Sequence, residues 1–209
     1  MNTPSGKVRL IGGRWRGTRL DVPQVAGLRP SSDRVRETLF NWLMPWLREA
    51  RVLDVFAGTG ALGLEAMSRG AASAVLIERD ASLANALRAT LGRLEGGAGG
   101  QVVHGDAIGW LARSGSTFDI AFVDPPFAGG LWSQVWPVLA PRLAPDALVH
   151  VESPADVDPG VPANWAVHRE GRTREVRYAL YRVPSHAAAT VTLGHEATAG
   201  GPSNPHETP

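Results

Sequence analysis

The spacing of apolar and polar positions divides the chain into an irregular N-terminal part, a long alternating part and a polar tail. In the alternating part, "RVLDVF" from Arg51 predicts a buried strand, residues 60–69 a helix, and "SAVLIE" a second strand. Residues 80–94 carry a helical period, a glycine-rich turn leads into the strand "QVVHGD", and a short helix runs through Leu111. The strand "FDIAFVD", a helix near 131–143 and the strand "ALVHVE" follow. Strands separated by helices of about ten to fifteen residues predict an α/β fold, a parallel sheet with helices on both faces. "NWAVHREGRTREVRYALYRV" breaks the alternation and predicts two adjacent strands, a hairpin closing the sheet edge.

The two ends read differently. "VRLIGGRWRGTRLDV" predicts two short strands around Gly12–Gly13, followed by a Pro/Gly-rich connector reaching Arg29–Pro30. In "SSDRVRETLFNWLMPW", Ser32 or Asp33 caps a helix whose apolar face is Val35, Leu39, Trp42, Leu43 and Trp46, and Pro45 ends or kinks it. Beyond Pro184 the residues are small, polar and too poor in apolar side chains to pack, which predicts a disordered tail. The expected organisation is a basic hairpin and connector over residues 1–30, the α/β domain over 31–183 and the tail over 184–209.

Composition narrows the chemistry. The 209 residues suffice for one α/β domain and a short appendage. Cysteine is absent, which excludes disulfides, thiolate metal sites and cysteine nucleophiles. No run of eighteen apolar residues occurs and "MNTPSGKVRL" lacks the apolar core of a secretory signal, so a soluble cytoplasmic protein is expected. The six histidines are scattered without ligand spacing, so no metal site is expected, and a monomer is the default. Net charge is +1, yet residues 1–36 hold eight basic and two acidic side chains, a local net of +6. That asymmetry, with its clustered arginines, points to nucleic acid at one end of the chain; a solvated hairpin face is the alternative. Arg9, Arg14, Arg16 and Arg19 are the candidate phosphate contacts, and Trp15 among them either stacks on RNA or fills the hairpin core.

"DVFAGTGALGLEA" places Gly58-x-Gly60-x-x-Gly63 after a strand and at the start of a helix. Glycines there permit a tight turn and close ligand approach, and the helix N-terminus attracts negative charge. Glu78 ends the next strand, twenty residues after Gly58, where an acid accepts from ribose hydroxyls. Together these predict an adenosine-bearing cofactor at the carboxyl ends of the strands. Asp54 lies inside the first strand, where a dinucleotide site runs apolar up to its glycines; S-adenosylmethionine, with an amine and a single ribose, suits that mixed polarity better. Asp106, at the end of the third strand, either accepts from an adenine amino group or caps the following helix, roles that are compatible.

"LRPSSDRVRETLFNWL", "VLDVFAGTGALGLEAMSRGA", "FVDPPF" and "LVHVE" resemble the RsmD family of bacterial 16S rRNA guanine-N2 methyltransferases, from about Lys7 to Val183. The resemblance implies a Rossmann-like, seven-stranded class I methyltransferase sheet with a small N-terminal hairpin. It also implies S-adenosylmethionine as donor, and a guanine of 16S rRNA, free or in an assembling small subunit, as acceptor. It implies that Asp54, Phe56, Gly58 and Gly60 line the methionine and ribose end of the cofactor, with Glu78 on the ribose and Asp106 on the adenine. Arg79 and Ile108 would flank the adenine, and Asp124 would also border the cofactor. Arg29, Ser32 and Arg34 would contact cofactor or RNA phosphate. The segment "HREGRTREVRYALY" matches the family only loosely.

"FVDPPF" then takes on a chemical meaning. Proline fixes its own φ and restricts the residue before it, so the Asp124-Pro125-Pro126 backbone is stiff before anything binds. A purine amine is nearly planar and poorly nucleophilic; the Asp124 carboxylate and the Pro125 carbonyl, accepting from its two N–H groups, would free its lone pair. This is catalysis by orientation and preorganised electrostatics, with the last proton passing to Asp124 or to water. Phe127 offers a flat surface for base stacking. The same corner suits N6-adenine methylation of DNA or other RNA. A dinucleotide-dependent dehydrogenase and a non-catalytic RNA-binding assembly factor are further alternatives.

Overall fold

The computed structural model describes residues 8–20, 32–126 and 130–185. The expected disordered tail and the connector to Pro30 lie outside the described residues, apart from the tail's first two positions.

Two short strands open the chain, β1 (Val8–Arg9) and β2 (Arg19–Leu20), antiparallel with Val8 opposite Leu20. Helix α1 (Asp33–Leu47) starts at Ser32, whose hydroxyl accepts from the Val35 amide at 3.3 Å. Pro45 neither ends nor replaces the last turn; it is exposed inside the helix. The buried face is Val35, Arg36, Leu39, Phe40, Leu43 and Leu47, so Trp46 is exposed and Trp42 half-buried, contrary to the expected stripe. Trp42 instead stacks on Tyr178, ring centres 5.6 Å apart.

The alternating part follows the sequence pattern closely: β3 (Arg51–Asp54), α2 (Ala61–Ser68), β4 (Ser73–Glu78), α3 (Ala81–Arg93), β5 (Gly100–His104), α4 (Ala107–Arg113), β6 (Phe118–Val123), α5 (Trp132–Leu139) and β7 (Leu143–Pro154). The helix expected near 131–143 gives way after Leu139 to a 3-10 turn over Ala140–Arg142. β8 (Ala166–Arg172) and β9 (Val176–Arg182) form the closing hairpin.

Seven strands lie in the order β5-β4-β3-β6-β7-β9-β8, all parallel except β9, which is antiparallel to both of its neighbours. Successive residues of each strand enter opposite cores, which is why the strands read as unbroken apolar runs. Val52, Leu76, Ile120, Phe122, Leu148 and Leu180 face α1, α2 and α3; Leu53, Ile77, Ala121, Val123 and Val149 face α4 and α5. The chain moves outward from β3 to β5 and then crosses back to β6 on the other side of β3. A crevice at the carboxyl ends of β3 and β6 follows from that reversal. No helix among the described residues is long and apolar enough to cross a membrane.

The N-terminal hairpin joins the core on the α2 side. Val8, Leu10, Trp15 and Leu20 are buried with α1 and α2 residues. The Ile11 amide donates to Glu65 Oε2 at 2.8 Å, the Trp15 amide to Ser68 Oγ at 2.9 Å, and Ser68 Oγ to the Gly12 carbonyl at 2.6 Å. Gly13 has φ +72°, and a Cβ there would stand 2.0 Å from the Ser68 carbonyl oxygen. The expectation that Trp15 stacks on RNA is corrected: its ring is 6% exposed, and its Nε1 donates to the Glu95 carbonyl at 3.0 Å.

Trp15→Ala is expected to cost about 3–5 kcal/mol in urea unfolding, the scale of a vacated buried indole. Arg16→Ala, one residue on and exposed, is expected within about 0.5 kcal/mol of wild type in the same measurement.

Candidate active site

The glycine loop after β3 is built from unusual backbone and buried acids. Gly58 and Gly60 have φ of +54° and +76°, a region in which a side chain is strained. A Cβ on Gly60 would also lie 2.4 Å from Leu87 Cδ2. Gly63 sits in the first turn of α2 directly over β3, where its amide donates to Asp54 Oδ2 at 2.9 Å. A Cβ there would stand 3.2 Å from that of Asp54, so close helix–strand contact and the hydrogen bond have one cause. Glu78 closes the loop from β4: Oε2 accepts from the Gly58 amide at 2.8 Å and Oε1 from the Asp80 amide at 2.6 Å. Glu78 thus shapes the loop.

Asp106 does cap α4, accepting from the Gly109 amide at 2.7 Å through Oδ2. Phe56 and Ile108 are half-buried against the α4–α5 core, and Arg79 is exposed just past β4. Asp54, Gly58, Gly60 and Glu78 therefore converge as one cradle, with Asp106 and Ile108 reached from the neighbouring α4.

Across the switch point, β6 delivers Asp124 and Pro125. The register pairs Asp54 with Phe122 and Phe122 with His150, so Asp124 follows Phe122 on the same face, one step beyond Asp54. Asp124 is half-buried, Pro125 buried and Pro126 exposed. Phe127 and Arg29 lie outside the described residues. On the far side of β6, β7 brings Glu152, 5% exposed, on the same face as His150. Sequence reasoning quoted "LVHVE" without seeing its acid as part of the site. The available signal was a lone charge near the end of a buried strand, a feature Glu152 shares with Asp54.

This crowding of like charge governs the electrostatics. Burial pushes the Asp54 carboxyl up to about 7; the Gly63 amide opposes that shift and the Glu78 charge adds to it. Asp124 is held well above the usual carboxylate range, first by burial, then by the Glu152 and Asp54 charges. His150, buried beneath with its ring 6.1 Å from that of Phe122, is pushed down to about 4 by burial, against a hydrogen bond to the Ala179 backbone. Its Nδ1 has no hydrogen-bond partner among the described residues.

The basic residues form a separate surface. Arg14, Arg16 and Arg19 are exposed on the hairpin, and Arg34 on the first turn of α1. Arg14 lies over the Trp15 ring at 4.5 Å. Arg9 pairs with Asp33 at 3.4 Å while remaining 65% exposed. Ser32 spends its hydroxyl on the α1 cap. Arg36, not among the expected site residues, is fully buried: its Nη2 donates to the Arg9 carbonyl at 2.9 Å and to Asp33 at 2.7 Å, tying the hairpin to α1. Its Nε and Nη1 have no hydrogen-bond partner among the described residues.

Comparison with known proteins gives consistent results. A family model described as conserved hypothetical protein 95 matches residues 8–182. The chain is 50% identical over 181 residues to ribosomal RNA small subunit methyltransferase D of Escherichia coli K12, covering 85% of this chain and 91% of that protein. It is 40% identical over 189 residues to the Haemophilus influenzae protein of that name, covering 87% and 98%. The solved structure of yhhF from Escherichia coli superposes with a TM-score of 0.79 at 49% identity, covering 86% of this chain and 99% of that one. An RNA methyltransferase from Salinibacter ruber, in complex with S-adenosyl-L-homocysteine, shares the fold at a TM-score of 0.59 and 19% identity, covering 75% and 94%.

The raised Asp54 carboxyl carries a sign. Its folded value lies above its unfolded one, so the native state binds the proton more tightly, and stability falls as pH rises from about 4 to about 7. Asp54→Asn keeps an acceptor for Gly63 without the charge. Its stability relative to wild type is expected to rise by about 2–4 kcal/mol between pH 4 and pH 8, read by denaturant unfolding of the cofactor-free protein. A flat difference between the two proteins would refute a buried, destabilised charge at Asp54.

Proposed function

The chain belongs to the family described as conserved hypothetical protein 95, the RsmD family, and on that premise we propose that it transfers a methyl group from S-adenosylmethionine to the exocyclic N2 amine of one guanine in 16S rRNA. It is an rRNA methyltransferase by its relatives, and the choice of amine is the further step. The observation that carries the reading is the meeting of two half-sites at the β3–β6 switch point. The glycine loop with Asp54 and Glu78 stands on one side, Asp124 with Pro125 on the other.

The residues fit this cofactor. An edge lined by Asp54, Glu78 and Asp124 favours a ligand bearing a sulfonium and an ammonium, and disfavours the pyrophosphate of a dinucleotide. Gly58 and Gly60 let the ligand approach the backbone, and Glu78 retains lone pairs for ribose hydroxyls. When bound, S-adenosylmethionine supplies a methyl group on a good leaving group. The protein's task is then the acceptor. Asp124 and the Pro125 carbonyl accept from the two N–H groups of the amine and turn its lone pair toward the methyl. Positive charge close by restores Asp124 to the carboxylate form that accepting requires. Pro125 and Pro126 hold both acceptors in register, and Phe127, next in sequence, supplies the stacking surface in this reading.

The base must leave its stack to enter, which is least costly in a loop or bulge. The exposed arginines of the hairpin and α1, with Arg29, hold the surrounding phosphates of the small subunit or its assembly intermediate, and the enzyme works as a monomer. The corner alone fits an adenine N6 amine equally well; family membership favours guanine.

Small subunits lacking the modification, incubated with methyl-labelled cofactor, are expected to take up label at one guanine N2; absence of label would overturn this function. Asp124→Asn is expected to lower kcat by roughly 10²-fold or more while cofactor affinity changes by less than about threefold. The pair Arg16→Ala and Arg19→Ala is expected to raise KM for the subunit and to reduce the slope of log KM against log salt by about 1–2. An unchanged slope would exclude these two arginines from phosphate contact.

A further inference from the structure

The basic β8–β9 hairpin has no part in the function proposed above. Residues 166–182 hold five arginines against Glu170 and Glu175, a net of +3. Residues 1–36 carry +6, and the rest of the chain holds eight basic and sixteen acidic side chains. Positive charge is thus concentrated in two segments, and α1 lies between them. Arg36 of α1 holds the N-terminal hairpin through the Arg9 carbonyl, while Trp42 and Trp46 reach β9 and β8. Trp46 meets His168 edge-on, ring centres 5.1 Å apart and planes at 88°, and stays 37% exposed. The β8–β9 register shifts at His168, an extra residue in the edge strand that re-aims this ring toward α1.

Register also relates this surface to the Asp-Pro-Pro corner. Tyr178 pairs with Glu152 on one side and Gly171 on the other, and a Cβ on Gly171 would stand 2.4 Å from the Tyr178 ring. Three strand spacings of ~4.8 Å separate β6 from β8, which sets Gly171 roughly 14 Å from Asp124 across the sheet. His168 lies three residues, ~10 Å, further along β8. Arg177 pairs with Glu170 at 2.9 Å and Arg182 with Asp146 at 3.1 Å, while Arg169 on β8 and Arg174 at the hairpin tip are exposed. Burial, then the Arg169 and Arg182 charges, hold His168 below the ordinary imidazole range, so a neutral ring stands among cations.

We propose that the surface shared by α1 and β8 is a second RNA-contact site, where nucleotides flanking the target base stack on Trp46 and set their phosphates on Arg169 and Arg174. The inference rests on the rRNA methyltransferase reading and deepens it. Guanidinium groups beside an exposed ring are the pattern that holds single strands: charge follows the backbone, and the ring accepts a base of any sequence. A base drawn into the corner leaves its neighbours unstacked, and this surface lies within a few nucleotides of that corner. A second copy of the chain fits less well, because a bulge and clustered charge on an edge strand oppose edge-to-edge pairing.

Unmodified small subunits would be titrated onto the full chain with S-adenosylhomocysteine present, so that binding is read without turnover. Trp46→Ala is expected to weaken subunit binding roughly fivefold or more, the scale of one lost base stack. The pair Arg169→Ala and Arg174→Ala is expected to reduce the slope of log Kd against log salt by about 1–2, and the corresponding lysine pair to retain it. Unchanged affinity for S-adenosylhomocysteine checks the folding of each variant. A photo-crosslinking residue in place of Arg174 is expected to join to 16S rRNA. Unchanged subunit affinity in Trp46→Ala, an unchanged slope in the alanine pair, or crosslinks only to a ribosomal protein or a second copy would overturn the proposal and leave the methyl-transfer reading intact. A wild type that neither binds nor methylates small subunits would overturn both.

Discussion

The structure turns on the crowding of carboxylates at the carboxyl edge of one parallel sheet. Asp54, Glu78, Asp124 and Glu152 stand at the ends of four strands that are neighbours in the sheet, and Asp54 and Glu152 are buried. Burial and the Glu78 charge raise the Asp54 carboxyl, burial with the Glu152 and Asp54 charges raises that of Asp124, and the Gly63 amide offsets only part of the cost at Asp54. A fold with these acids is destabilised at the edge where it works, and a cationic ligand relieves the repulsion. In the proposed function, affinity for a sulfonium-bearing cofactor and the return of Asp124 to its accepting carboxylate form would both follow from relief of that one repulsion.

The remainder of the molecule keeps that edge in place. α1 lays Phe40 on Phe122, ring centres 5.9 Å apart, immediately before the Asp124 corner. α2 carries Gly63 onto Asp54 and, two and five residues further, Glu65 and Ser68 into the hairpin. The hairpin's arginines are therefore fixed to the same helix that holds the cofactor loop, through buried polar contacts rather than a linker. Arg36 adds a second tie from α1 to the Arg9 carbonyl. In the proposed function, the arginines that would grip phosphate and the corner that would position an amine are thereby rigidly related, which suits a substrate whose reacting base must be presented at a set distance from its backbone.

Legibility in the sequence was uneven for physical reasons. Strands buried on both faces read as short apolar runs, so β3, β4, β6 and β7 and their order of appearance could be read directly. The glycine loop was legible because positive φ and close packing leave few alternatives to glycine. Trp15 was not: an indole between two arginines reads identically whether it faces RNA or the core, and only the acceptor on Glu95, eighty positions away, decides. Trp46 was assigned to the core by helical spacing, yet α1 rotates so that Phe40 and Arg36 occupy that face. Arg36 was hidden because its partner on β1 is a backbone carbonyl, which no side-chain pattern announces.

The sequence by itself determined the alternation of strands and helices, the cofactor loop, the stiff Asp-Pro-Pro corner and the charge asymmetry of the N-terminus. All of these follow from local chemistry: periodicity, φ preference, proline geometry and net charge. The tertiary structure alone decided which side of the loop the corner faces, that Glu152 stands beyond Asp124, and that Trp15 and Arg36 are buried. Those facts depend on strand order and register, which bring together residues nearly a hundred positions apart. Local preference specifies what each strand end carries, and only the crossing from β5 back to β6 specifies which strand ends meet.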